Sequence, residues 1–358
     1  MRSMSDNLPG DPKGRPGIKA VAALAGVGIA SVSRVLSGQP GSSPQLTQRV
    51  LEAARTLGYA PNALAQGLRR RATRSIGFVG SDITNPLIAS IVRGAESVLT
   101  VAGFSVLLTN SGGVPSVDAE RIEVLMHRQV DGLIVLPTLE DDPATLLALR
   151  NTKCPVVLID RAFPADIPAH YVLSDHYQGM GDAARALLDK GHRRIGLVVG
   201  RDVRPTRERV RAMEDAYDRL GLPRNLIVHR GTLSSDHGEV AIEEMLADDD
   251  PPTAIVLGGN QLLEGALQAI HRRGLQLGRD LSLVSCDDVP LCRFHQPPIA
   301  TVMRDAEQLG ARAAQLVLTH IETPGTPESV SLPTWFESRA SCGAPSGTSV
   351  QRRADKVR

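Results

Sequence analysis

The side chains around Arg34 are of a kind that could read DNA. On the segment Ile29–Ser37, the residues Ala30, Ser31, Ser33, Arg34 and Ser37 fall off the apolar stripe that Val32 and Val35 begin. Small side chains beside a guanidinium suit a helix that enters a major groove, because the guanidinium donates to two acceptors of guanine at once. A second group lies further along the chain. Ser81, Asp160, Asn260 and Asp287 each follow a short apolar run. Taken singly, such a residue caps the next helix; its recurrence after strand after strand is what a ligand-binding cleft needs. A third group is the arginine run Arg201, Arg204, Arg207, Arg209 and Arg211. It reads either as a solvated helix face or as the edge of an anion site. The pair Asp287–Asp288 could serve acid–base or metal chemistry, but no His-rich or acidic cluster accompanies it.

These side chains must be positioned by secondary structure that the sequence also signals. In IKAVAALAGVGIASVSRVLS (18–37), Val21, Ala22, Ala25, Val27, Val32 and Val35 form one apolar set if Gly26 ends a first helix and a second begins near Ile29. Gly26 can take the positive φ that a sharp turn between helices requires, so the pattern is that of a helix-turn-helix. A helix pair inside a larger α domain has the same pattern. Ser43 followed by Pro44 predicts the cap and first residue of a third helix, running to Gly58, with Val50, Leu51, Ala54 and Leu57 facing the first two. Residues 59–74 hold a short helix candidate, Asn62–Leu68, followed by Arg69–Arg71 and Arg74. It is too short to be stable alone, and Gly67 weakens it further.

From Ser75 the rhythm becomes β-α-β-α. Strands are expected at 75–80, 104–110, 132–136 and 155–160, with helices at 86–101, 118–127 and 143–150 between them. The alternation starts again after 170–175, with strands at 194–200, 226–229, 254–259 and 281–286. This implies parallel sheets with helices on both faces, in two successive lobes. A helix ending the stretch 297–321 is expected to return to the first lobe, and 330–339 to form a last strand. The expected organisation is therefore an all-α helix-turn-helix head plus an α/β body. A disordered arm covers 1–16, the DNA-binding domain 17–60, and a hinge helix and linker 61–74. The bilobed body covers 75–340: lobe one is about 75–174 and 304–322, lobe two about 175–303 and 326–340. A disordered tail covers 341–358.

Charge divides along the same line. Residues 1–74 carry 11 Lys/Arg against 3 Asp/Glu, whereas the remainder carries 29 against 36. A basic head on an acidic body suits a nucleic-acid-binding module joined to a different kind of domain. The four cysteines are scattered without a CxxC, which points to reduced thiols in the cytoplasm. No apolar run approaches the length of a membrane span, and the first residues lack the apolar core of a secretion signal. The chain has no GxGxxG after a strand, no GxxxxGK[ST] and no GxSxG, so the reading is not of an enzyme and expects no cofactor or metal.

Seven stretches resemble, in order and in register, the lac repressor (LacI/GalR) family of bacterial transcription regulators. They are VAALAGVGIASVSRVLSG, LGYAPNALAQGLR, SIGFVGSDITNP, VDGLIVLP, PVVLID, KGHRRIGLV and VSCDDVPLCRFHQPPIATV, spread between Ile18 and Arg339. The resemblance implies a homodimer that binds double-stranded DNA at an inverted-repeat operator, with two doubly wound parallel-sheet lobes of periplasmic-binding-protein type. It assigns DNA contacts to Gly28, Ile29, Ala30, Ser31, Ser33, Arg34 and Ser37, and to the hinge residues Asn62, Ala65 and Leu68, with Leu68 as the wedge between base steps. It assigns a small-molecule effector to Ser81, Asp160, Arg209, Asn260 and Asp287. Gly28 replaces the usual capping Ser, Gln261 the Asp that usually follows the cleft Asn, and Leu87 a frequent aromatic. The last two changes leave a sugar and an anionic metabolite both open as effector. A solute receptor without DNA function is the alternative reading, and the basic head argues against it.

Overall fold

The computed structural model describes residues 16–36, 40–59 and 73–345. Ser37, Asn62, Ala65, Leu68 and Arg69–Arg71 lie outside the described residues, as do most of the expected arm and tail. The chain divides into two compact units, with the break between Thr73 and Arg74.

The first unit contains α1 (Ile18–Ala25), α2 (Ile29–Leu36) and α3 (Pro44–Thr56). Gly26 ends α1 at φ 63°, and Val27 N–H closes the turn on the Ala22 carbonyl at 3.0 Å. The axes of α1 and α2 then differ by 103°, the angle of a helix-turn-helix. Ser43 caps α3 by accepting from Leu46 N–H, and Pro44 fills the first helical position. Val21, Ala22, Ala25, Val32, Val50, Ala53 and Ala54 are the buried core. Leu51 is a correction: it is 40% exposed, and Ala53 takes the inward position expected of it. The spacing Val50, Ala53, Ala54, Leu57 keeps one helical face, and Leu51 lies one residue off it.

Among the described residues the second unit has eleven strands, in the order β2-β1-β3-β4-β5-β11-β10-β9-β8-β6-β7. One half uses β1 (Ser75–Gly80), β2 (Ser105–Asn110), β3 (Gly132–Val135), β4 (Val156–Ile159) and β5 (His170–Asp175). The other uses β6 (Ile195–Val199), β7 (Leu226–Arg230), β8 (Ala254–Leu257), β9 (Ser282–Cys286) and β10 (Ala300–Arg304). Pairing is parallel throughout, except that β11 (Ser329–Glu337) runs antiparallel to β10. The central strands β3, β4, β6, β8 and β9 are buried along their whole length, as a sheet covered on both faces requires.

In the first lobe, α4 (Pro86–Val101) and α12 (Ala306–Glu322) cover one face, and α5 (Pro115–His127) and α6 (Pro143–Arg150) the other. In the second, α7 (His176–Asp189) and α8 (Arg204–Arg219) cover one face, and α9 (Ser235–Leu246) and α10 (Leu263–Arg272) the other. A short α11 (Pro290–Phe294) follows β9. The helix α12 follows β10 yet packs on the first lobe, as the sequence suggested.

Two boundaries differ from the sequence reading. The last strand was expected wholly in lobe two, but β11 is shared. Residues 329–333 pair with β5 in lobe one, and 334–337 pair with β10 in lobe two. The change of partner comes at Pro333, which has no N–H to give to a ladder. The tail was expected to begin at 341, but Ser341 and Cys342 are buried. Ser341 Oγ accepts from Ala300 N–H at 2.8 Å and donates to the Leu283 carbonyl at 2.6 Å, so this small residue pins the end of the chain to the sheet.

Both lobes use glycine to bring two helices into backbone contact. A Cβ on Gly310 would lie 1.8 Å from the Ile91 carbonyl oxygen, and one on Gly94 would lie 1.9 Å from that of Glu307. In the second lobe, a Cβ on Gly265 would meet the Ser235 carbonyl oxygen at 1.8 Å. Gly310→Ala therefore lowers stability by about 1–3 kcal/mol through overpacking. Gly181→Ala, in α7 with open space around it, raises stability by about 0.5–1 kcal/mol. Urea unfolding of the two variants, with opposite shifts of the midpoint, checks this account.

Candidate functional site

In the first unit, the α2 residues Ile29, Ala30 and Arg34 are exposed, Ser31 and Ser33 are half-buried, and Val32 between them is buried. The helix therefore presents one polar, small-residue face with Arg34 on it and is anchored by the opposite one. The Gly28 carbonyl accepts from Ser31 N–H at 3.0 Å and Val32 N–H at 3.2 Å, which makes Gly28 the N-cap of α2. Glycine brings no side-chain acceptor, so the first-turn N–H groups stay available to an anion such as a phosphate.

In the second unit a cavity of about 210 Å³ lies between the lobes. All five cleft residues singled out from the sequence line it: Ser81, Asp160, Arg209, Asn260 and Asp287. Ser81 follows β1, Asp160 follows β4, and Asp287 follows β9. Asn260 opens a 3-10 turn after β8, and Arg209 comes from the second turn of α8. Asp160 and Asp287 occupy equivalent places in the two lobes and share an unusual backbone, with φ of 52° and 66°. Asp tolerates this left-handed conformation better than most residues. Each is held there by its own N–H, Asp160 to the Val172 carbonyl at 3.0 Å and Asp287 to the Val302 carbonyl at 2.9 Å.

Arg304, which the sequence reading did not select, joins these two carboxylates. Its Nε donates to Asp287 Oδ1 at 2.7 Å and its Nη2 to Asp287 Oδ2 at 3.1 Å, while Nη1 donates to Asp160 Oδ2. The only hint in the sequence was its place at the end of an apolar run, and that run was not separated from the following helix. Asp160 also accepts from Ser174 N–H at 2.6 Å and Ser174 Oγ at 3.1 Å. Burial would raise the pKa of both carboxylates. For Asp160 the neighbouring His176, Arg304 and Ser174 outweigh burial, and for Asp287 Arg304 does, so both are held below the ordinary range.

The network continues through His176. Burial, with Arg209 beside it, pulls the His176 pKa down to about 4. The neutral ring accepts from Arg209 Nη2 through Nδ1 at 3.2 Å, and its Nε2 lies 3.3 Å from Asp160 Oδ2. Arg209 also packs against the Cys286 thiol, whose pKa burial pushes up to about 11, so that sulfur is no nucleophile at neutral pH.

The arginine run divides. Arg201 and Arg209 reach the cavity. Arg204 pairs with Glu208 at 2.7 Å, Arg207 with Glu140 at 2.6 Å, and Arg211 lies over the Tyr177 ring. Glu140 also accepts from the N–H groups of Ala162 and Arg204, each at 2.9 Å, and so ties the first lobe to the start of α8. At the opposite rim Asn260 donates to Asn85 and Gln261 to Asp82, both at 3.0 Å, again across the lobes. Arg161, Asn85 and Gln261 line the cavity and were not selected from the sequence either.

Comparison with known proteins agrees with both units. Residues 17–62 match the family described as bacterial regulatory proteins, lacI family, and residues 184–342 match a periplasmic binding protein-like domain. The chain is 31% identical over 326 residues to catabolite control protein A of Priestia megaterium, covering 90% of this chain and 97% of that one. It is 32% identical over 310 residues to the ribose operon repressor of Escherichia coli (strain K12), covering 86% and 93%. Among solved structures, it resembles the lac repressor dimer bound to operator and the anti-inducer ONPF with a TM-score of 0.79 at 25% identity, covering 90% and 98%. It also resembles a LacI family regulator from Enterococcus faecium with bound ribose, with a TM-score of 0.67 at 26% identity, covering 76% and 100%.

The buried histidine gives a pH dependence with a definite sign. The folded protein resists protonating His176 down to about pH 4, whereas the unfolded chain takes the proton near 6.5. Stability is therefore lost as pH falls from 6.5 towards 4, by up to about 3 kcal/mol from this group. His170, His192 and His237, also pulled down by burial, act in the same direction. Asp118 and Glu208, pushed up by burial, act in the opposite one. Thermal midpoints measured between pH 7 and 4.5 fall in the parent and fall less in His176→Gln, which keeps a donor and an acceptor but cannot charge.

Proposed function

The chain belongs to the lacI family of bacterial regulatory proteins, and from that premise we propose that it represses transcription as a homodimer whose operator affinity is set by an effector in the interlobe cleft. The observation that carries this reading is one chain holding both a helix-turn-helix and a two-lobed cleft, over nearly the full length of repressors it matches. A solute receptor has no use for the first unit. Cytoplasmic operation follows from a DNA target. We read the cleft as a site for binding rather than for catalysis, since its two buried carboxylates accept from Arg304.

The DNA contacts are assigned to Gly28, Ile29, Ala30, Ser31, Ser33, Arg34 and Ser37 in the groove, with Asn62, Ala65 and Leu68 as the hinge. Two such heads on a dimer read half-sites about one helical turn apart, roughly 34 Å. The excess cations of residues 1–74 add affinity that does not depend on sequence and falls with salt. The effector contacts are assigned to Ser81, Asp160, Arg209, Asn260 and Asp287, drawn from both lobes, so a ligand touching all of them couples to the angle between the lobes. By linkage, whatever factor the effector changes operator affinity, the operator changes effector affinity by the same factor.

Selection of duplexes from a random pool by the full-length protein tests the reading, with recovery of an inverted repeat as the expected result. Arg34→Ala then loses about 1–3 kcal/mol of discrimination at one base pair of each half-site while keeping its thermal midpoint. Unchanged specificity would remove α2 from the recognition role. Leu68→Ala reduces operator bending in a gel-phasing assay, and a duplex bent to the same degree would rule out the wedge.

A further inference from the structure

The cleft carries more positive than negative charge, and the surplus lies on particular side chains. Four guanidiniums line it, Arg161, Arg201, Arg209 and Arg304, against three carboxylates, Asp82, Asp160 and Asp287. Arg304 takes up the two buried carboxylates. Asp82 sits at the rim, where it accepts from Thr84 and Gln261. Among the described residues, no carboxylate lies within 4.0 Å of Arg161, Arg201 or Arg209. Their hydrogen bonds go to neutral groups instead. Arg161 donates to the Asp160 carbonyl at 3.0 Å, Arg201 to the Gly113 carbonyl at 3.0 Å, and Arg209 to neutral His176 at 3.2 Å. The Nε of Arg161 is buried and has no hydrogen-bond partner among the described residues. Burial lowers the pKa of this guanidinium although Asp160, Glu140 and Asp118 act to raise it, so its charge is incompletely compensated. A guanidinium that lines a cavity, with its charge incompletely compensated and no carboxylate in contact with it, suits a planar or tetrahedral oxyanion.

The rest of the lining narrows the ligand further. Leu87, Ile88, Leu136, Val203 and Leu233 form its apolar part, and none of the lining residues is aromatic. A sugar ring is held by an aromatic face against its C–H groups and by free carboxylates that accept from neighbouring hydroxyls. This cleft lacks the first and has committed the second, since both oxygens of Asp287 accept from Arg304 and Asp160 accepts from Arg304 and Ser174. Neutral polyols find few acceptors left, whereas an acid group finds three donors and its carbon skeleton finds aliphatic walls.

We propose, building on the effector role of the cleft, that the effector is a small organic anion whose carboxylate or phosphate is bound by Arg161, Arg201 and Arg209, with Arg304 excluding neutral sugars by occupying Asp160 and Asp287. The test uses full-length protein with lactate, succinate, citrate, glycerol 3-phosphate and inorganic phosphate against ribose, glucose and cellobiose. Thermal shift is read first and titration calorimetry second. Saturable binding is expected from the anionic set alone, with Kd weakening several-fold from 50 to 300 mM NaCl. The carboxylates and the phosphates form separate arms, and the tighter arm identifies the acid group. Arg161→Gln weakens that binding at least tenfold, and the half-exposed Arg201→Gln, whose folding is not at risk, weakens it several-fold. Arg304→Gln shifts preference towards the neutral sugars. Salt-independent binding of a neutral sugar by the parent protein overturns the proposal, as does silence from every anion while a selected operator is still bound. Failure to select any operator would instead strike the regulatory reading itself.

Discussion

One buried guanidinium sets the geometry of the cleft. Arg304 is at the end of β10, which belongs to lobe two by pairing, and it grips a carboxylate from each lobe. Taking three charged groups out of water is costly, and their attraction offsets the cost only if the remaining lone pairs and protons are also satisfied. Here they are: Ser174 serves Asp160 with both N–H and hydroxyl, and the fork of Arg304 meets both oxygens of Asp287. The two left-handed aspartates make sense on the same ground. A strand that ends in this conformation turns its last carboxylate into the cleft, and a charge-assisted contact offsets the strain.

The lobes around this contact are built alike. Each has a pair of helices locked by glycine on one face of its sheet, α4 with α12 in lobe one and α9 with α10 in lobe two. The chain passes between lobes at Asp175–His176, at Arg304–Asp305 and at Pro333–Thr334, and these crossings lie together. Thr334 is in register with Arg304, and Pro333 with Asp175, while Thr334 Oγ1 donates to the Asp175 carbonyl at 2.5 Å. Rigid helix pairs on either side and a single knot of crossings between them leave one place where the lobes can pivot.

Local chemistry is what the sequence made legible. Gly26, Ser43 with Pro44, and the polar residue after each apolar run each report a turn or a cap that neighbours within a few positions decide. Ser81, Asp160, Asn260 and Asp287 fell into one cavity because parallel α/β sheets gather their strand ends at one edge, whereas Arg209 reaches it from helix α8 and was assigned only through the resemblance. What the sequence hid depends on partners far along the chain. Arg304 reads as the start of the segment that returns to lobe one until β10 is known to end there and Asp160 to face it. The Arg201–Arg211 run looks uniform until Glu208, Glu140 and Tyr177 each remove one member. Ser341 lies in a Gly/Ser/Pro stretch that looks unstructured, yet small size is what lets it reach the Leu283 carbonyl. Leu51 is a simpler case: as the larger apolar side chain it outweighs Ala53 in the sequence pattern, although Ala53 is the one on the helical face of Val50, Ala54 and Leu57.

The distribution of cross-lobe contacts argues for which of them change when the lobes move. A ligand shifts a conformational equilibrium only by its differential affinity for the two states. The Asn85–Asn260 and Asp82–Gln261 bonds join side chains that are only partly buried, and the Arg207 end of its pair with Glu140 is about half exposed. Contacts with such access to water contribute at most about 1 kcal/mol each, since water replaces them when they open. The Arg304 bridge is different in kind, because opening it would strand buried charges at a cost of several kcal/mol. The rim is therefore the part that breaks and reforms, and the bridge is the axis that persists. The few rim bonds together match the 1–3 kcal/mol typical of coupling between sites. A ligand that replaced them, by reaching from Asn260 and Arg209 in one lobe to Ser81 and Arg161 in the other, would supply a differential of that size without disturbing the pivot.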